Sequence, residues 1–158
     1  MYNTQVQIIT DITPARLAQV IELMTELPEF DQERSIAEFK QRLYGRDALL
    51  MLCFVEGELV GFKLGYSLDE QRFYSWLGGV LPDFRGIGLA QKMLSVQEQW
   101  AAEQGYKAIQ IKTRNRFKAM LNLLIKNSYQ VIDFTQVADD VSQYRLSLQK
   151  QLTGDVCF

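Results

Sequence analysis

The chain contains no histidine and only two cysteines. The absence of histidine excludes a Ser-His-Asp triad, a Cys-His dyad and any zinc site with histidine ligands. Cys53 lies inside an apolar run and Cys157 lies next to the last residue, so their spacing indicates neither a metal-ligand pair nor a disulfide framework. We therefore interpret Cys53 as a small core residue and expect no metal site.

Long hydrophobic runs and a large net charge are also absent. The longest apolar run, residues 48–55, is too short to cross a bilayer, and the opening MYNTQVQIIT lacks the pattern of a secretory signal. The formal net charge of −2 provides no general attraction to nucleic acid or to an anionic membrane. No repeat or linker divides the chain. We expect a cytoplasmic protein with a single domain over residues 1–158 and no nucleic-acid or membrane partner.

The hydrophobic pattern predicts a mixed sheet with about four helices. Alternating and β-branched residues indicate strands, and apolar residues at helical spacing indicate helices. Turn signals separate these elements, including Glu56-Gly57-Glu58 in a hairpin. The predicted strands cover residues 5–10, 49–54, 59–66, 73–81, 109–113, 129–134 and 144–148, and the predicted helices cover residues 14–27, 35–43, 89–105 and 117–127.

The most informative segment is VLPDFRGIGLAQKML at residues 80–94, where a strand leads through a glycine-rich turn into a helix. Such a junction gathers backbone N–H groups that have no partner inside the helix, and the helix dipole adds roughly half a positive charge there. Gly86 and Gly88 lack a Cβ and can adopt positive φ angles. The segment therefore predicts a phosphate-binding loop built from the amides of residues 85–90.

Two common phosphate loops do not fit this segment. A P-loop requires Gly-Lys-Ser/Thr, whereas Gly88 is followed by Leu89 and Ala90. A dinucleotide fingerprint requires a small third residue, where this chain has Gln91, and the next predicted strand supplies no acidic residue for a ribose. A mononucleotide-binding module stays open as an alternative.

The sequence RGIGLA at residues 85–90 fits the pattern Gln/Arg-x-x-Gly-x-Gly/Ala, and it resembles the acetyl-CoA loop of the GNAT superfamily of N-acetyltransferases. Asn115, the helix over residues 117–127 and the pair Ser128-Tyr129 resemble that family's asparagine, fourth helix and Gly-Phe pair. The motif core covers about residues 73–131. The resemblance implies the GNAT acyl-CoA N-acyltransferase fold, with a central mixed, mostly antiparallel sheet of six to seven strands.

The resemblance also implies acetyl-CoA as the cosubstrate. Its pyrophosphate would lie on the loop amides, its pantetheine arm would bond the preceding strand end, and a backbone N–H there would polarise the thioester carbonyl. The glycine pair at residues 78–79 suits a bulge or the close approach of a ligand, and its alternative is a strand irregularity without a ligand. The predicted coenzyme-binding residues are Gly79, Val80, Leu81, Arg85, Gly86, Ile87, Gly88, Leu89, Ala90 and Asn115, of which Asn115 has helix capping as its alternative role.

The catalytic groups are less defined. Many family members carry a glutamate early on the strand before the loop, whereas this chain has Tyr74 and Ser75 there, with Glu70 just before. Tyr74 or Glu70 is a candidate to order a water that takes the amine's proton. The family's tyrosine on the fourth helix, which protonates the departing thiolate, falls at Leu124, so the general acid stays unassigned. Tyr129 we interpret as a core residue.

Two charged clusters bear on the partners. The residues between helices one and two carry four carboxylates, and a negative rim favours a cationic acceptor such as a polyamine, another small amine, a lysine side chain or a protein N-terminal amine. A basic cluster near Asn115 is either a contact for phosphates, those of the coenzyme ahead of those of a nucleic acid, or a solvated face. The clusters comprise Glu26, Glu29, Asp31 and Glu33, and Lys112, Arg114, Arg116 and Lys118.

The resulting hypothesis is an N-acetyltransferase that moves an acetyl group from acetyl-CoA to a primary amine by direct attack in a ternary complex. A different class stays open, because the missing tyrosine at Leu124 also suits a domain that binds acyl-CoA as a sensor or scaffold without turnover. A homodimer is compatible with the sequence. Trp76 and Trp100 are expected in the core.

Overall fold

The computed structural model describes residues 2–152, and Cys157 lies outside the described residues. Seven strands and four α-helices lie within this part of the chain, together with 3-10 turns at Pro82–Phe84 and Val141–Gln143. The elements are β1 (Thr4–Ile9), α1 (Pro14–Met24), α2 (Ile36–Leu43), β2 (Ala48–Val55), β3 (Glu58–Ser67), β4 (Arg72–Val80), α3 (Leu89–Glu103), β5 (Ala108–Arg114), α4 (Lys118–Lys126), β6 (Gln130–Thr135) and β7 (Arg145–Gln151).

The strands follow the order β1-β2-β3-β4-β5-β7-β6 in one sheet. Strands β4 and β5 pair in parallel, while β1/β2, β2/β3, β5/β7 and β6/β7 pair antiparallel. The predicted mixed, mostly antiparallel sheet with about four helices is confirmed. The chain divides into two compact units, of which the first comprises Met1–Ser67 and Leu77–Gln97 and the second Leu68–Trp76 and Glu98–Phe158.

The first unit is built on the β2/β3 hairpin. Glu56 and Gly57 have φ angles of 50° and 81°, so the turn takes the left-handed conformation that matches strand twist. Strand β2 is buried almost throughout, and Cys53 within it is fully buried. Burial raises the pKa of the Cys53 thiol, which is the behaviour of an inert core residue. The interpretation of Cys53 is confirmed.

Helices α1 and α2 cover the same unit and begin at side-chain caps. The Thr13 hydroxyl accepts the Arg16 N–H at 3.2 Å ahead of α1. Ser35 and Glu38 form a reciprocal capping box at the start of α2, with bonds of 3.2 and 3.3 Å. Helix α1 ends at Met24, earlier than the predicted Leu27, because the chain continues there in single turns. Between α1 and α2 the chain forms an irregular loop, which we call the α1–α2 loop.

The second unit contains the first half of β4 with β5, β7 and β6. The β4/β5 pairing runs from Arg72↔Ala108 to Ser75↔Ile111. Phe73 lies 5.4 Å from Trp100 between ring centroids and is fully buried. Trp76 and Trp100 are only partly buried, so their expected place in the core is wrong: Trp100 packs on Phe73 at the core's margin. No helix within residues 2–152 is long and apolar enough to span a membrane.

Candidate functional site

The glycine loop lies in the first unit, between β4 and α3. Gly86 and Gly88 have φ angles of 82° and 89°, which confirms the predicted positive values. The Gly88 carbonyl accepts the first helical bond from the Lys92 N–H at 3.0 Å, so the N–H groups of Leu89 and Ala90 have no acceptor inside the helix. A Cβ added to either glycine would meet no described atom within 4 Å, so the space beside the loop is open.

This loop has the physical properties of an anion site. Consecutive amides around left-handed glycines form a concave nest, and the dipole of α3 adds positive potential at the same point. Leu89 is buried and fixes the start of the helix, while Ile87 at the loop's tip is exposed. A rigid helix start with open space in front of it can hold a phosphate by backbone contacts alone.

Arg85 departs from its predicted role as a cradle amide. Its N–H donates to the Pro82 carbonyl at 3.3 Å, inside the turn that precedes the loop. Its guanidinium donates from Nε to the Val80 carbonyl at 2.9 Å and from one Nη to the Glu29 carboxylate at 2.9 and 3.2 Å. The cradle therefore consists of the amides of residues 86–90, and the Arg85 side chain connects the loop to the strand end and to the α1–α2 loop.

Leu81 also differs from the prediction. Its N–H donates to the Val60 carbonyl at 2.8 Å, and its carbonyl accepts the Phe84 N–H at 2.9 Å. Both backbone polar groups are thus bonded within the first unit. As a correction, Leu81 is not a residue whose backbone is left for a pantetheine arm, because the strand end and the turn after it already use these groups.

The register at the end of β4 determines which other backbone groups point away from β3. Backbone polar groups point alternately to the two sides of a strand, so the bond from Leu81 to β3 directs the groups of Gly79 toward β3 as well. The N–H groups of Gly78 and Val80 then point to the other side. The Val80 carbonyl accepts from Arg85, and its N–H is the strand-end donor aimed away from β3.

Gly79 is a point of close approach, but the approaching group is a protein side chain, whereas the predicted approach of a ligand stays a prediction. A Cβ at Gly79 would lie 2.9 Å from Glu29 Oε1 and 3.0 Å from Leu27 Cδ1. Glycine is therefore required for the α1–α2 loop to lie on the strand. Glu29 keeps 22% of its side chain exposed while it pairs with Arg85. Sequence reasoning placed Glu29 in a diffuse acidic rim and missed this contact, which no local pattern signals.

In the second unit, Asn115 does not cap α4. Its Nδ2 donates to the Val141 carbonyl at 3.0 Å, and its N–H donates to the Tyr144 carbonyl at 3.2 Å. Phe117 stands at the cap position of α4 without a side-chain cap bond. The capping alternative is wrong, because the Asn115 amide holds the β6–β7 connection instead, and its predicted contact with the coenzyme stays a prediction.

The basic cluster has varied surroundings. Arg114 donates to Gln143 Oε1 at 2.7 Å. Lys112 Nζ lies 5.9 Å from the centroid of the Tyr74 ring, and the Arg116 guanidinium lies 4.6 Å from that of Phe117. Tyr74 is half-buried beside this lysine, whereas Glu70 is exposed in the turn that precedes β4. The predicted role of Tyr74 or Glu70 in ordering a water stays a prediction.

The position predicted for the catalytic tyrosine is closed to solvent. Leu124 is fully buried in α4, and the neighbouring Tyr129 is buried as expected for a core residue. The Tyr129 hydroxyl donates to Glu98 Oε2 at 2.8 Å, and Lys150 Nζ donates to Glu98 Oε1 at 2.9 Å. Burial and the Glu98 carboxylate raise the pKa of Tyr129 well above its ordinary value. Its hydroxyl proton is donated to Glu98 in this network.

Residues 2–152 contain no cluster of three or more Cys, Asp or Glu side chains that could hold a metal ion. The described site thus comprises a glycine loop at a helix start, a strand end with an N–H directed away from β3 and a carboxylate that packs on that strand. These parts come from the end of β4, the start of α3 and the α1–α2 loop, all within the first unit.

Comparison with known proteins identifies relatives of this arrangement. The model of the acetyltransferase (GNAT) family matches residues 17–126. An acetyltransferase of Pectobacterium atrosepticum is 31% identical over 106 residues, which are 67% of this chain and 70% of that protein. The ribosomal-protein-S18-alanine N-acetyltransferase of Escherichia coli superposes with a TM-score of 0.80 at 12% identity, covering 98% of this chain and 97% of that chain.

A GNAT family acetyltransferase from Elizabethkingia anophelis with acetyl-CoA bound gives a TM-score of 0.71 at 19% identity, covering 94% of this chain and 98% of that chain. At these identities the two solved structures show a shared fold. The family match rests on the sequence, and the matched segment includes β4, the glycine loop and α3.

Proposed function

Because the chain belongs to the GNAT family of acetyltransferases, we propose that it transfers an acetyl group from acetyl-CoA to a primary amine by direct attack in a ternary complex. The observation that carries the proposal is the glycine loop. Gly86 and Gly88 both have positive φ, and they open α3 with uncovered amides and free space in front of them. Such a loop suits the pyrophosphate of coenzyme A.

In this proposal the end of β4 binds the pantetheine arm and the acetyl thioester. The pantetheine arm would run beside the end of β4, where Gly78 and Val80 direct their N–H groups away from β3. The Val80 N–H would then donate to the thioester carbonyl oxygen and stabilise the negative charge that develops there. The amides of residues 86–90 would hold the phosphates and fix the distance between loop and thioester.

The transfer itself needs three proton movements, two at the amine and one at the sulfur. An amine with an ordinary pKa of about 10.4 must first lose a proton to water or to a base. Its nitrogen then attacks the thioester carbon, the C–N bond forms, the nitrogen loses its second proton to water, and the C–S bond breaks with its electron pair leaving on sulfur. Because an ordinary thiol pKa is about 8.5, the thiolate is a tolerable leaving group that can take its proton from water. Leu124 and Tyr129 supply no proton in this scheme.

The proposed acceptor is a small-molecule amine or a protein amine. The similar E. coli structure is an N-acetyltransferase for the alanine of a ribosomal protein, and that acceptor belongs to that protein. In this chain, the carboxylates of the α1–α2 loop favour an acceptor that carries positive charge. A second candidate function, acyl-CoA binding without turnover, is favoured only by the buried Leu124 in place of a tyrosine.

The first test is thermal unfolding with acetyl-CoA, coenzyme A, NAD and ATP in separate samples. A ligand at a hundred times its Kd adds roughly 2.7 kcal/mol to the folded state, which raises Tm by about 5–10 °C for a chain of this size. We expect this shift with acetyl-CoA and coenzyme A alone. A shift with ATP of equal size would indicate a nucleotide module, and no shift with coenzyme A would contradict the loop assignment.

Turnover separates the enzyme from the sensor. Free thiol release from acetyl-CoA would be followed with a panel of primary amines that includes spermidine, glycinamide and a peptide with a free N-terminus. Amine-dependent thiol release supports transfer. Coenzyme binding without release from any amine of the panel would favour the sensor.

A further inference from the structure

The contact between Glu29, Gly79 and Arg85 has no role in the scheme above. Glu29 reaches from the α1–α2 loop onto β4 so closely that a Cβ at Gly79 would lie 2.9 Å from Oε1. One Nη of Arg85 contacts both carboxylate oxygens, at 2.9 and 3.2 Å. A carboxylate is therefore seated next to the strand position whose N–H is aimed at the proposed thioester.

Stability alone gives this contact little purpose. The side chain of Arg85 is 47% exposed and that of Glu29 is 22% exposed, and exposed ion pairs contribute about 0–1 kcal/mol. The contact of Glu29 with β4 also requires glycine at residue 79, and glycine weakens a strand. The arrangement thus places an ionisable group at the strand end for a small gain in folding free energy.

We propose that Glu29 binds the ammonium group of the acceptor and that Arg85 positions Glu29 for this task. The inference rests on the proposed acetyl transfer. An ionised carboxylate offers about four acceptor positions, and a single Arg85 nitrogen uses one side of it. Glu29 keeps 22% of its side chain exposed, and its Oε1 lies over residue 79, directly before Val80, so an ammonium with three donors that binds Glu29 would lie beside the strand end.

The same geometry links the two substrate loops. Arg85 precedes Gly86 of the coenzyme loop directly, and its side chain ends on Glu29 of the α1–α2 loop. It also bonds the Val80 carbonyl at 2.9 Å, which orients the guanidinium between these partners. Glu29 therefore contacts the acceptor, whereas Arg85 acts through Glu29 and is a positioning residue.

The test uses the full chain saturated with coenzyme A, and spermidine and glycinamide as the amine probes. Isothermal titration of each amine compares the wild type with Glu29→Gln, and thiol release from acetyl-CoA gives kcat and KM for the same amines. Glutamine keeps an oxygen that accepts from Arg85, so a purely structural role predicts a small effect. We expect Glu29→Gln to weaken spermidine binding about 10–100-fold and to raise its KM, as for a lost charge-assisted bond of about 1.5–3 kcal/mol.

Two controls separate the outcomes. Glu22→Gln removes the same charge from the exposed face of α1 and should leave amine binding within about two-fold, as expected for a screened surface charge. The coenzyme A shift in Tm should be equal in all variants. No binding of either amine by the coenzyme-bound wild type, or equal binding by Glu29→Gln, overturns the inference about Glu29. If coenzyme A does not raise the Tm of the wild type, the proposed function is overturned instead.

Discussion

The glycine loop and the α4 region of this protein differ in whether their polar groups are exposed or bonded within the core. In the loop, the amides of residues 86–90 face open space at the start of a helix, and no side chain is needed to bind an anion there. Around α4, Leu124 is fully buried and Tyr129 is hydrogen-bonded to Glu98. The first region leaves backbone donors beside open space, whereas the second is closed to solvent as part of a core.

This difference separates binding from proton transfer. Backbone groups that hold a coenzyme depend on φ angles, which Gly86 and Gly88 secure. A general acid depends on one side chain that must reach the reacting sulfur, and the buried Leu124 cannot supply a proton. The predicted consequence is an enzyme whose coenzyme affinity resides in the loop and whose thiolate is protonated from solvent.

The largest expected effect comes from Gly88→Asp. Aspartate at a φ of 89° is strained, and its carboxylate adds negative charge where phosphate would lie. We expect coenzyme A affinity to fall by more than about 100-fold, which corresponds to a loss of more than about 2.7 kcal/mol in binding free energy. Isothermal titration with coenzyme A measures the loss.

Gly45→Asp is the matched control for this change. Gly45 also has a positive φ, 71°, and a Cβ there would meet no described atom within 4 Å. Both variants place an aspartate and the same added charge at a positive φ, 89° at residue 88 and 71° at residue 45, so both should lose folding stability. Equal coenzyme affinity in Gly88→Asp and Gly45→Asp would contradict the loop assignment.

The second prediction addresses the sealed region. Tyr129→Phe removes the hydroxyl that donates to Glu98 at 2.8 Å and leaves one carboxylate oxygen without that bond in a half-buried site. We expect a loss of about 1–3 kcal/mol in the free energy of unfolding by urea. Tyr44→Phe, on an exposed side chain, should change it by less than about 0.5 kcal/mol. A Tyr129→Phe variant as stable as the wild type would show that this network does not hold the core.

The sequence predicts the loop better than the strand end because the loop's information is local. Gly86, Gly88 and the helix that follows them are contiguous, so their spacing alone indicates positive φ and a free helix start. The helices and strands are predictable for the same reason, because hydrophobic periodicity and turn residues are local properties of short segments. Helix α1 ends early because single turns after Met24 already bury Leu27.

Contacts between distant residues were beyond this kind of prediction. Glu29 and Arg85 are far apart in sequence, and no motif relates the α1–α2 loop to the turn after β4. The involvement of Leu81 in bonds to Val60 and Phe84 depends on strand register, which composition does not define. The Asn115 amide likewise found its partner in Val141, after the intervening α4 and β6.

The third prediction sharpens the description of the sealed region through pH. The pKa of Tyr129 is raised in the folded state, so above the unfolded value of about 10 the folded chain retains a proton that the unfolded chain releases. The stability from Tyr129 is therefore complete below pH 10 and falls above it, by about 1.4 kcal/mol for each further pH unit. The difference in unfolding free energy between wild type and Tyr129→Phe should shrink from pH 9 to pH 11. A constant difference would contradict the raised pKa.

The smallest expected effect tests the connection at Arg85. Lysine has one nitrogen, which cannot bond the Val80 carbonyl and the Glu29 carboxylate in the geometry of a guanidinium. Arg85→Lys should weaken spermidine binding about 2–5-fold, as expected for an exposed pair worth about 0.2–1 kcal/mol, and change coenzyme A affinity less than two-fold. Arg16→Lys on α1 serves as the control, since the Arg16 side chain donates to its helix neighbour Gln19 and its N–H donates to the Thr13 cap. A ten-fold loss of coenzyme affinity with unchanged amine binding would instead make Arg85 a phosphate ligand, and the loop would then bind by side chain as well as by backbone.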